Sequence, residues 1–228
     1  MAKAFTWVFL GFVALGLSAC AKNIPLKSEA EALVDQARWT VEMFKERNDE
    51  PDQAFRAALK DASGIVIFPG AVKGAFIVGA EGGNGVLVAR DDTGVWGYPA
   101  FYTLGAGSFG LQVGAQSSEI VLVLRTQKAL QAIINNQGKL GGNIQMTMGQ
   151  VGAGIEAATT TNVGADIVGF AHGAGVYAGA SLEGAVLARR NDLNQAYYGK
   201  GATPQTIVFD QRFANPQADP LRLSLAIN

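Results

Sequence analysis

Glycine constrains this chain more than any other residue. It makes up 29 of 228 positions, about twice the ordinary share of roughly 7%. Apart from Gly11 and Gly16 near the amino terminus, every glycine lies between Gly64 and Gly201. There glycines alternate with short β-rich runs: Ile65 to Phe68, Ala75 to Ala80, Val86 to Arg90 and Ile120 to Leu124. Such a stretch must form strands, turns and close backbone approaches. The same argument predicts strands over Ile144 to Met148, Ile167 to Ala171, Val176 to Ala180 and Gly184 to Arg189. Asp91-Asp-Thr-Gly94 reads as a tight turn before Trp96. Helical patterns bracket this region. From Ser28 to Arg47, Ala30, Leu33, Val34, Ala37, Val41 and Phe44 recur at spacings of three and four, which predicts an amphipathic helix. Ser28 with Glu31 is spaced as a capping box. A second helix is expected from Pro51 to about Ala62, a third from the cap Thr126 to Asn136, and two short ones after Thr203-Pro204 and Asp219-Pro220. The expected fold is therefore one α+β domain. It has a mostly antiparallel glycine-rich sheet, either barrel-like or covered, two N-terminal helices and short C-terminal helices.

The first residues follow a different logic. Met1-Ala-Lys3 precedes an apolar run to Leu17, too short to span a bilayer comfortably, and then Leu17-Ser-Ala-Cys20. This layout is that of a secretory signal. Leu-Ser-Ala-Cys resembles the bacterial lipobox, which implies cleavage before Cys20 and acylation of its thiol. The expected division is a signal over residues 1–19, a tether over 20–27 after lipidated Cys20, and a domain over 28–228. Ala21 is not the aspartate that resembles an inner-membrane retention signal. The expected location is thus the cell envelope, at the outer membrane and facing the periplasm.

Chemistry is sparse. A single Cys and a single His exclude an internal disulfide and the common zinc sites. The charge balance of 18 basic against 19 acidic side chains argues against a nucleic-acid binder. Gly105-Ala-Gly-Ser-Phe-Gly110 matches a dinucleotide fingerprint by letter, but no helical pattern follows it. Gly138-Lys139 and Gly199-Lys200 lack the rest of a phosphate loop. His172 reads as a turn or strand-end residue, and Asp91 with Asp92 as turn positions. No nucleophile, base and orienting group can be named together, so the chain reads as a non-enzyme without cofactor or metal. Basic residues gather near the first helices: Lys22, Lys27, Arg38, Lys45, Arg47, Arg56, Lys60 and Lys73. Acidic neighbours offset them, so net attraction to an anionic bilayer is absent there.

Taken in order, several fragments resemble the SYLF lipid-binding domain family, also described as an actin-regulator domain in eukaryotic members. They are Leu26-Lys-Ser-Glu-Ala30, Ala62-Ser-Gly-Ile-Val-Ile-Phe-Pro69, Lys73-Gly-Ala-Phe76, Gly82-Gly-Asn-Gly-Val-Leu-Val-Ala-Arg90, Trp96-Gly-Tyr-Pro99, Leu140-Gly-Gly-Asn143, Gly179-Ala-Ser-Leu-Glu-Gly184 and Tyr197-Tyr198. The similarity runs from Leu26 to about Asp210. Gly97 departs from it, since the family often has serine there, and so does the acidic first helix. The resemblance implies a non-enzymatic domain that binds phospholipid membranes partly through its N-terminal amphipathic helix. Carried over residue by residue, it points to Leu26, Lys27, Leu33, Val34 and Arg38, with Lys73 as a further phosphate contact. Two uses of the helix's apolar face are open at this point: entering the interfacial layer of a bilayer, or sealing the sheet. Besides phospholipid, envelope proteins are possible partners, with lipid then serving only as a tether.

Overall fold

The computed structural model describes residues 24–46, 50–136, 146–150, 166–173 and 185–227. Two helices open the chain, α1 (Leu26–Glu46) and α2 (Glu50–Lys60). Two long strands follow, β1 (Gly64–Ala89) and β2 (Ala100–Leu124), then α3 (Gln127–Asn136). Three shorter strands come next: β3 (Met146–Gln150), β4 (Ile167–Gly173) and β5 (Val186–Arg189). The chain ends with α4 (Asn191–Tyr198), a π-helical turn (Gln205–Phe209), a 3-10 turn (Pro216–Ala218) and α5 (Asp219–Ser224).

Among the described residues the strands form one open sheet with helices covering it. β1 pairs with β2 antiparallel along almost its whole length, from Gly64 opposite Leu124 to Leu87 opposite Ala100. On its other edge β2 takes β4 through Ser118–Leu124 and β5 through Tyr102–Gly105, both antiparallel. β3 joins β4 in parallel. The β1–β2 ribbon doubles back so that the second half of β1 lies against the first. A Cβ added at Gly85 would sit 2.3 Å from the carbonyl oxygen of Ile67, and one at Gly83 would sit 2.8 Å from that of Gly70. At the open end of this fold the amide of Arg90 donates to the Ser63 carbonyl at 2.9 Å.

Alternate residues then point to opposite faces, and both faces are buried. Ile65, Ile67, Val86, Val88, Phe101, Val121, Val123 and Phe170 pack under α1, α2, α4 and α5. Val66, Phe68, Leu87, Tyr102, Ile120, Leu122 and Leu124 pack against α3 and the π-helical turn. The result is a sheet between two helical layers. Phe55 links α2 to this core, with its ring 5.4 Å from those of both Phe44 and Phe170.

Several expected elements form where the pattern placed them. Thr126 caps α3, its hydroxyl accepting from the Ala129 amide at 3.1 Å. Asp91 closes the expected turn by accepting from the Thr93 and Val95 amides, each at 2.9 Å, and Gly94 takes φ +86°. Other expectations are corrected. The three runs between Ile65 and Arg90 join into one strand, paired with β2 through the stretches between them, and the ribbon bends back as a whole instead of breaking at separate turns. α1 starts at Leu26, directly after Pro25, so Ser28 lies inside its first turn and does not cap it. α4 was not anticipated. The expected strand over Val176 to Ala180 and the residue Ile144 fall outside the described residues.

The close approach at Gly85 has a measurable consequence. Gly85→Ala forces a methyl into the Ile67 carbonyl and the Phe68 ring, and is expected to lower unfolding free energy by about 3 kcal/mol. Gly105→Ala, with nothing within 4 Å of its new Cβ, is expected to be neutral or stabilising by up to about 1 kcal/mol. Urea titration of the two variants compares them directly.

Candidate functional site

α1 carries most of the residues that the sequence singled out, and the fold divides them. Leu33 and Val34 are 7% and 1% exposed and belong to the core under the helix layer. Of the two uses open to the apolar face, the folded chain adopts the second: it seals the sheet. Leu26 is different. It is 42% exposed, next to Ile24 at 62%. Lys27 follows with 67% of its side chain exposed and Glu31 at a loose 3.9 Å. Arg38 is held by both oxygens of Glu42, at 2.9 and 3.2 Å, and stacks over the Trp39 ring at 4.1 Å. Its charge is therefore already partnered. Lys73 sits in β1 opposite Gln116. Cys20 lies outside the described residues.

A polar network fixes the start of α1 on the sheet. Asn84 of β1 donates to Glu29 at 3.0 Å and accepts from Arg190 at 2.7 Å. Arg190 also grips Asp192 with two parallel bonds, at 2.9 and 2.8 Å. The bond from Arg190 pulls the Asp192 carboxyl below its ordinary range, and the bond to Asp192 raises the guanidinium. A charge-assisted, bidentate pair of this kind is geometrically stiff. It orients the exposed group at Ile24, Leu26 and Lys27 relative to the rest of the domain.

At the opposite end of α1, Lys45 donates to the carbonyls of Ser224 and Ala226 at 2.8 and 2.7 Å. Trp96 Nε1 donates to Leu225 O at 3.1 Å. These bonds tie the C-terminal segment across α1 and the Asp91 turn. Sequence reading gave none of these partners, because they depend on main-chain carbonyls far away in the chain.

Metal-binding geometry is not assembled among the described residues. No group of His, Cys, Asp and Glu side chains there could hold a metal ion. The Gly105–Gly110 fingerprint lies inside strand β2, with no helix start for a pyrophosphate to meet. A cleft of about 170 Å³ beside the Asp91 turn is lined by Tyr98, Gln127, Leu130, Phe209 and Gln211 among others. It holds no nucleophile paired with a base. No helix of the described residues is long and apolar enough to cross a membrane.

Comparison with known proteins settles the family. Residues 105–226 match the Ysc84 family, described as "Las17-binding protein actin regulator". LAS seventeen-binding protein 3 of Saccharomyces cerevisiae is 30% identical over 182 residues, covering 75% of this chain and 39% of that protein. The chain belongs to the Ysc84, or SYLF, family. SH3 domain-containing YSC84-like protein 1 of Homo sapiens is 30% identical over 198 residues, covering 86% of this chain and 57% of that protein. SH3 domain-containing protein PJ696.02 of Schizosaccharomyces pombe is 32% identical over 168 residues, covering 72% and 39%. The chain thus spans between two fifths and three fifths of these relatives' lengths. None of these names is that of an enzyme.

The single histidine of this Ysc84-family domain has a defined neighbour. His172 lies opposite Glu119 across the β2–β4 pair. Burial pushes the Glu119 carboxyl above its ordinary range, and attraction to His172 opposes this in part. A carboxyl whose folded pKa exceeds its unfolded value of about 4.3 destabilises the fold when ionised, and that penalty is absent below the unfolded pKa. Glu119→Gln is accordingly expected to raise the Tm at pH 7 and to lose the advantage below about pH 4. Equal gains at both pH values would contradict the assignment.

Proposed function

We propose that this chain is a non-enzymatic envelope lipoprotein, anchored through acylated Cys20, whose Ysc84-family domain binds anionic phospholipid membranes peripherally. The observation that carries the reading is the exposed group Ile24, Leu26 and Lys27 at the start of α1. It stands only a few residues after Cys20. An acyl anchor there holds these residues within about 25 Å of the bilayer, since an extended chain covers roughly 3.5 Å per residue. Two apolar side chains enter the interfacial layer while the ammonium of Lys27 meets lipid phosphates, at about 1 kcal/mol per near-surface charge. Lys73 is a further phosphate contact in this reading. Leu33, Val34 and Arg38 keep their structural roles. The family description "Las17-binding protein actin regulator" and the relative's name "LAS seventeen-binding protein 3" favour a second reading, in which the domain binds envelope proteins and lipid serves only as the tether.

The chain starting at Ala21, without its leader and acyl anchor, tests the first reading. It is expected to sediment with phosphatidylglycerol vesicles more than with phosphatidylcholine vesicles. Adding Leu26→Ser and Lys27→Glu together is expected to weaken that binding by about tenfold or more. Equal sedimentation with the two vesicle types would remove the headgroup part of the reading, and none with either would leave the second.

A further inference from the structure

We propose that the outward face of α1 is a docking surface for a lysine- or arginine-rich segment of a partner protein, with Trp39 as its anchor. At 100° per residue, Trp39 lies directly opposite the buried stripe formed by Ala30, Val34, Ala37, Val41 and Phe44. It is 61% exposed, which is unusual for so large an apolar side chain. Its neighbours three and four positions away on that face are Asp35, Gln36, Glu42 and Met43, and Glu46 follows one turn on.

Two observations make this face suited to a basic occupant. The first is order. Arg38 stacks over the indole at 4.1 Å while both oxygens of Glu42 hold its guanidinium. The ring is therefore an arranged platform, and less side-chain freedom is lost when a partner covers it. Exposed, ordered tryptophans are the residues that most often anchor protein interfaces. The second is charge. Arg38 is neutralised by Glu42, which leaves Asp35 and Glu46 as the exposed charges flanking Trp39. Asp35 accepts a bond from the neutral Gln217 side chain at 2.9 Å, which leaves its charge in place. An acidic rim around an aromatic platform repels an anionic bilayer and attracts a cationic side chain, which gains the carboxylates and the part of the exposed indole that Arg38 does not cover. This surface is separate from the group at Ile24, Leu26 and Lys27, so the proposal stands whether or not lipid is bound there.

The test uses the chain starting at Ala21 and a fluorescently labelled synthetic peptide of alternating arginine and leucine, read by anisotropy. A glutamate–leucine peptide is the control. The basic peptide is expected to bind, more weakly as salt rises, and the acidic one not to bind. Trp39→Ala, and Asp35→Lys with Glu46→Lys, are each expected to weaken binding by about tenfold or more, with Tm unchanged for Trp39→Ala and slightly lowered for the double variant, which loses the bond from Gln217 to Asp35. Vesicle sedimentation by Trp39→Ala is expected to match that of the parent. Absence of peptide binding, or equal affinity in the variants, would overturn the proposal. So would loss of vesicle binding in Trp39→Ala with peptide binding intact, which would give the face to the bilayer.

Discussion

The architecture depends on how closely the two halves of β1 approach. Gly83 and Gly85 lie against the backbone of Gly70 and Ile67 at distances that leave no room for a Cβ. That contact lets a 26-residue strand fold over on itself without an interrupting loop. The doubled ribbon provides a central sheet with both faces apolar, and each face needs a cover. Helices α1 and α2 with the C-terminal elements supply one, and α3 with the π-helical turn supplies the other. The glycine content therefore shapes the layers as well as the sheet.

Those layers decide which part of α1 is free to act. The stripe from Ala30 to Phe44 is committed to the sheet. What remains is the helix start, held in place by the Glu29–Asn84–Arg190–Asp192 network, and the outward face around Trp39. The two differ in sign. A lysine stands beside apolar side chains at the start, whereas carboxylates stand beside an indole on the outward face. A bilayer and a protein partner would thus meet different parts of one helix without competing.

Periodicity made the long elements legible. The apolar repeat of α1 and the Thr126 cap of α3 are local signals, and both form as expected. The family was legible from ordered fragments, each weak alone. α4 was not, because its inward positions include the buried amide Asn194, which bonds the main chain of Phe101 at 2.9 Å. A polar residue facing inward breaks the pattern that marks a helix. The joined β1 was missed for a related reason: glycines read locally as turns are strand positions where another stretch of backbone passes close. At the site, spacing identified the apolar face of α1 correctly but could not say what covers it. Trp39 was overlooked because an isolated aromatic on a polar face carries no periodic signal.

The position of α1 also constrains the proposed membrane contact. Full insertion of its apolar stripe would require the helix to leave the sheet. Leu33, Val34, Val41 and Phe44 alone, at about 2 kcal/mol each, account for roughly 8 kcal/mol of burial. That is comparable with the whole stability of an ordinary domain, about 5–15 kcal/mol. Departure would also break the bonds from Lys45 to Ser224 and Ala226, and would uncover Ile65, Ile67, Val86 and Val88 beneath. A bilayer could return the helix's own burial energy but not that of the exposed sheet. Peripheral contact through side chains already at the surface involves neither loss, so a docked α1 is the energetically consistent state at a membrane.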